Sequence, residues 1–126
     1  MLFRRILIAY DGSELSRTAL DQAIEMARES AAVELEVLCV SEGAAERDAR
    51  KKLQKAEISL SVIPNPTKVT LLEGSSAAQG ILDHIARGKY DLVIIGSRGL
   101  TGLSEVLGSV SHSVVQKSPV SVLVIK

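Results

Sequence analysis

Five short apolar runs, with a stretch of helical periodicity between each run and the next, limit what this chain can fold into. Ile6 to Tyr10, Val33 to Val40, Lys68 to Leu72, Asp91 to Ile95 and Val120 to Ile125 read as strands. Between them, helix patterns cover Glu14 to Ser30, Ala44 to Glu57, the stretch from Gly74-Ser75-Ser76 to a C-cap at Gly88, and Ser109 to Lys117. Strands separated by helices pair in parallel, because parallel neighbours need crossover connections and right-handed crossovers lay helices against the sheet. The unbroken apolar run Leu92-Val-Ile-Ile95 fits a strand covered on both sides. The expected fold is α/β: a doubly wound, five-stranded parallel sheet with helices on both faces, in one domain spanning residues 1–126.

Such sheets bind ligands outside the carboxyl ends of their strands, so the residues that follow each strand carry the functional information. After the first strand, Asp11-Gly12-Ser13 breaks the run and offers helix caps. After the fourth, Gly96-Ser-Arg-Gly99 opens a glycine-broken loop that closes on Gly108-Ser109 at the head of the last helix. Glycines let backbone N–H groups approach an anion, and the first amides of a helix lack intrahelical partners and sit at the positive end of its dipole. Strand, glycines and hydroxyl-bearing helix head together form a candidate phosphate site.

Composition narrows the ligand classes. Lys+Arg and Asp+Glu are both 15, the formal charge is +0 and the basic residues are interspersed with acids, so capture of nucleic acid or an anionic membrane is not indicated. Aromatics make up 2% and Trp is absent, which removes the usual stacking platform for exposed bases. Cys39 has no partner for a disulfide and reads as a buried strand thiol. The apolar stretch after Arg4-Arg5 is too short for a signal or a membrane span, and a cytoplasmic location is expected. His84 and His112 read as surface residues, and the i,i+4 pairs Glu46–Arg50 and Asp48–Lys52 as salt bridges on a solvated face. No lysine-bearing phosphate loop of the G-x-x-x-x-G-K-[ST] kind is present and no Ser-His-Asp arrangement can be inferred, so no catalytic role is expected.

With Asp11 after the first strand, Val40 ending the second, and Gly96, Gly99, Gly108 and Ser109 after the fourth, the chain resembles the universal stress protein family over essentially its whole length. Nucleotide-binding members of that family carry Gly, two residues, Gly, nine residues, Gly and then Ser or Thr; here eight residues, Leu100 to Leu107, separate Gly99 from Gly108. The resemblance implies a Rossmann-like sheet of order 3-2-1-4-5 and bound ATP, or ADP or AMP. It implies that the backbone at Ala9 and Tyr10, with Val40, flanks the adenine, and that Asp11 reaches the ribose or a phosphate-bound Mg²⁺. The amides of Gly96 to Gly99 and Gly108 to Val110, with the hydroxyls of Ser97, Ser109 and Ser111, would hold the phosphates. It also implies homodimers paired through the fifth strand, Val120 to Ile125, an apolar run at a sheet edge.

Asp11 fits helix capping as well as ligand binding, and Arg98 fits either a phosphate or the solvated loop rim. The functional expectation is an ATP-binding regulatory module of the stress response. The alternative is a nucleotide-free interaction protein of the same fold, its shorter loop having lost phosphate geometry. An adenylyl-transfer enzyme would want a first loop richer in glycine and serine, or paired histidines, than Ala9-Tyr-Asp-Gly-Ser13 provides.

Overall fold

The computed structural model describes residues 2–43, 46–74, 76–98 and 107–126. Five strands, β1 (Arg5–Ala9), β2 (Glu34–Ser41), β3 (Thr67–Glu73), β4 (Leu92–Gly96) and β5 (Ser121–Ile125), form one parallel sheet of order β3-β2-β1-β4-β5. Helices α1 (Glu14–Ala27), α2 (Glu46–Leu60), α3 (Ala77–Arg87) and α4 (Ser109–Lys117) make the crossovers. The expected α/β class, strand number and order are therefore the observed ones.

Side-chain alternation along the strands divides the core into two layers. Ile6, Ile8, Leu35, Val37 and Cys39 pack with the apolar stripes of α1 and α2, including Ala19, Ala23, Leu53 and Ala56. Leu7, Leu38, Val93 and Ile95 face the other way and pack with Ile81 and Ile85 of α3 and Val114 of α4. The small residues of α1 let it lie close to the sheet: a Cβ at Gly96 would come within 2.8 Å of Leu15 Cβ. Among the described residues no helix is long and apolar enough to cross a membrane.

Element ends differ from the sequence expectation for local reasons. Helix α1 stops at Ala27, where Arg28 caps it and Asn65 locks the following turn. Asn65 Nδ2 lies 3.0, 2.8 and 2.9 Å from the carbonyls of Ala27, Ser30 and Val33. Helix α2 runs on to Leu60, one turn past the expected end, because Leu60 still points into the core. Gly88 does cap α3, but at φ −99°, which any residue could adopt. It is glycine because a Cβ there would collide with the Tyr90 ring.

Strand β2 also carries a buried acid, Glu36, at 8% exposure. Its carboxylate accepts from Tyr90 OH at 2.6 Å on Oε1 and from Thr70 Oγ1 at 2.8 Å on Oε2, with His84 Nε2 also 2.8 Å from Oε2. His84, expected at the surface, is thus a half-buried partner with a side chain 18% exposed. Burial would raise the Glu36 pKa, but these hydrogen bonds outweigh it and hold the carboxyl below its ordinary 4.5. Burial, and then the bond to Glu36, push the Tyr90 phenol well above its ordinary 10.0. Arg5 caps the cluster, its guanidinium 5.4 Å from the centre of the Tyr90 ring.

Candidate functional site

The carboxyl ends of β1, β2 and β4 open into a cleft of about 390 Å³, large enough for a small organic ligand. Of the residues singled out from the sequence, Ala9, Tyr10, Asp11, Val40, Gly96, Arg98, Gly108, Ser109, Val110 and Ser111 line it. Ser97 lies beside it with a different task, and Gly99 and the rest of the 99–106 stretch fall outside the described residues.

The first wall is the turn after β1. Tyr10 N–H still donates to Leu38 O at 2.9 Å, continuing the sheet, and the chain then turns at Gly12 with φ +82°, a conformation that favours glycine. Asp11 Oδ1 accepts from Ser13 N–H at 2.9 Å, which fixes the turn, and Asp11 borders the cleft. The helix cap itself is Ser13, whose Oγ accepts from Ser16 N–H at 3.3 Å, so the capping role open to Asp11 falls to its neighbour.

The second wall is the base of the glycine loop. Ser97 N–H donates to Ile125 O at 2.7 Å, and Ser97 O accepts from Gly108 N–H at 2.7 Å and from Ser111 Oγ at 2.7 Å. These bonds pin the end of β4 to the head of α4. The Ser111 hydroxyl is committed to that stitch rather than turned to the cleft, which sequence alone did not indicate. Unlike Ser13 on α1 and Ser76 on α3, the N-cap of α4, Gly108, has no side chain to cap with. Among the described residues the amides of Ser109, Val110 and Ser111 therefore meet no protein acceptor.

Helices α2 and α3 close the cleft with residues that the sequence reading did not place in the site. Asp48, Ala49 and Lys52 come from α2, and Ala77 and Ile81 from α3. The Glu46–Arg50 pair forms as expected at 2.7 Å, but Asp48 and Lys52 form no ion pair with each other and both border the cleft. Val40 packs against bare Gly80, where a Cβ would approach to 3.2 Å, so α3 sits close over the end of β2. Cys39, a buried thiol as expected, also lines the cleft; burial pushes its pKa up. His112 is exposed, and among the described residues no group of three or more His, Cys, Asp and Glu side chains could hold a metal.

Comparison with known proteins agrees with this architecture. Residues 2–126 match the model of the universal stress protein family. The chain is similar to universal stress protein YxiE of Bacillus subtilis (strain 168), 32% identical over 151 aligned positions that take in 99% of this chain and 100% of the relative. Among solved structures, hypothetical protein MJ0577 aligns with a TM-score of 0.89 at 26% identity, over 100% of this chain and 97% of that one. A universal stress protein in complex with cAMP gives a TM-score of 0.81 at 22% identity, over 99% and 98% of the two chains, a likeness of fold.

Proposed function

The chain belongs to the universal stress protein family, and from that premise we propose that its cleft holds an adenine nucleotide, making the protein a small nucleotide-responsive module of the stress response. The observation that supports this reading is the uncapped head of α4, whose first amides meet no acceptor among the described residues and which borders the same cleft as Asp11 and Val40. An anion held there would meet unpartnered N–H groups and the positive end of the helix dipole.

On this reading the apolar end of the cleft, Ala9, Val40, Ala77 and Ile81, receives the base. The backbone of Gly96 and Gly108 to Ser111, with the Ser109 hydroxyl, receives the phosphates of ATP, ADP or AMP. Gly99, outside the described residues, belongs to the same proposed phosphate loop. Ser97 and Ser111 contribute by holding the loop base shut rather than through their hydroxyls. Asp11 serves a ribose hydroxyl, or is one ligand of a Mg²⁺ brought in on the phosphates; a single carboxylate fits a nucleotide-borne ion better than a resident one. A universal stress protein of the same fold in complex with cAMP makes cyclic nucleotide a ligand to include in tests.

Edge strand β5 presents Leu123 at 37% exposure, with Val115 of α4 exposed nearby in the chain, and the reading includes a homodimer paired there. Mass spectrometry of the protein as purified tests the central claim. Adenine nucleotide released on denaturation supports it, whereas ligand-free protein that also fails to take up added nucleotide leaves the interaction-protein alternative standing.

A further inference from the structure

Among the described residues two cations line the cleft, and of these Arg98 follows β4 at the start of the glycine loop. The other, Lys52, stands in the second turn of α2 and reaches the cleft across the first turn of the chain. A Cβ at Gly12 would lie 2.9, 3.1 and 3.3 Å from Cδ, Cγ and Cε of Lys52, so the lysine stem runs over the bare α-carbon of that glycine. The stem is thereby packed and the residue half-buried where it borders the cavity. Among the described residues this ammonium makes no ion pair and no hydrogen bond, in contrast to Arg5, Arg28 and Arg50, each paired with a glutamate. Its field nevertheless enters the site: burial raises the Cys39 thiol, and Lys52 opposes that shift.

The placement of charge around the cavity gives this lysine a direction of action. Glu42 and Asp48 are exposed on the rim, whereas Lys52, Arg98 and Asp11 are half-buried in the wall. Among the described residues the wall therefore carries two cations against one carboxylate, beside the uncapped head of α4, in a chain whose formal charge is +0. A neutral nucleoside would use none of this excess; a phosphorylated one would use all of it.

We propose that Lys52 is a ligand-contacting cation which, together with Arg98, makes the cleft prefer phosphorylated adenine nucleosides to adenosine. The assignment rests on the nucleotide reading above and adds to it a residue from a different helix. It also gives Gly12 a second purpose, since a side chain there would displace the lysine stem.

Adenosine, AMP and ATP titrated calorimetrically into wild type, Lys52→Gln, Lys52→Arg and the control Lys55→Gln test this, Lys55 being exposed on the same helix. Lys52→Gln is expected to weaken AMP and ATP about tenfold, as loss of one charge-assisted hydrogen bond does. Adenosine should be unaffected, Lys52→Arg should restore affinity to within about twofold, and the deficit should shrink as salt rises. Equal losses for adenosine and ATP, no loss at all, or a matching loss in Lys55→Gln would overturn the assignment while leaving the nucleotide reading intact. Wild-type protein that binds none of the three overturns both.

Discussion

The sheet carries a polar cluster at each end, and the two are built on opposite terms. Around Glu36, on the side where the strands begin, every carboxylate oxygen is answered by the chain itself, from β3, α3 and the turn before β4. Around Asp11 and Gly108, where the strands end, an uncapped helix head and two cations that form no ion pair among the described residues border the cleft. A buried polar group costs stability unless it is partnered, so a cluster whose needs are met internally belongs to the folding of the domain. On the proposed reading, a cluster that borders a cavity is arranged for a ligand. Titratable residues alone would not have separated the two, since the histidine sits in the first and the cysteine borders the second.

Substitution can break this contrast. The largest effect is expected from Glu36→Ala, which strands Tyr90, Thr70 and His84 together and should cost about 2 to 4 kcal/mol in urea denaturation. Nucleotide affinity of the folded fraction should not move; a loss of binding would show the two ends to be coupled through α3. Gly108→Val with Ser109→Ala should do the reverse. A Cβ at Gly108 meets nothing nearer than 3.5 Å and the backbone is in the extended region, so stability should change by less than about 1 kcal/mol. Affinity for ATP should fall by roughly a hundredfold or more, as the valine side chain blocks close approach of an anion to the helix head and the Ser109 hydroxyl is lost.

Tyr90→Phe removes one donor and leaves Glu36 with its other two partners, for about 1 kcal/mol by thermal melting. The smallest effect is on pH dependence. Because Glu36 titrates below its ordinary 4.5 when folded, its contribution is present above that value and drains as pH falls through the lowered pKa. Tyr90 is raised above 10.0, so its contribution is present below that pH and is lost as pH climbs toward the folded value. Stability followed against pH should therefore erode at both ends, and Glu36→Gln should flatten the acid limb; an unchanged acid limb would remove Glu36 as its cause.

The sheet was legible in the sequence because its strands are apolar runs and its crossovers carry their own helical stripes, so class and layering follow from local pattern, whereas the order 3-2-1-4-5 followed from the family resemblance. The residues that follow the strands were legible for the same reason: Asp11, Val40, Gly96 and Gly108 sit at strand ends or helix heads whatever the tertiary details. Lys52 was not, because an i,i+4 pair with Asp48 reads as surface until α2 is laid beside the turn at Gly12. Nor was Glu36, whose alternation with Leu35 and Val37 looks solvated. Its partners stand 34, 48 and 54 residues away, and no local pattern connects them. The commitment of Ser111 to the Ser97 carbonyl is likewise a contact across the loop that spacing does not reveal.

The claim that the carboxyl-end cluster is arranged for a ligand is tested most directly by titrating ATP with Mg²⁺ into the wild-type protein in a calorimeter. A saturable heat with one site per chain, absent from a Gly108→Val, Ser109→Ala variant that melts like wild type, is the predicted result. No heat from wild type at millimolar ATP, and equally a heat that the variant retains in full, would contradict it.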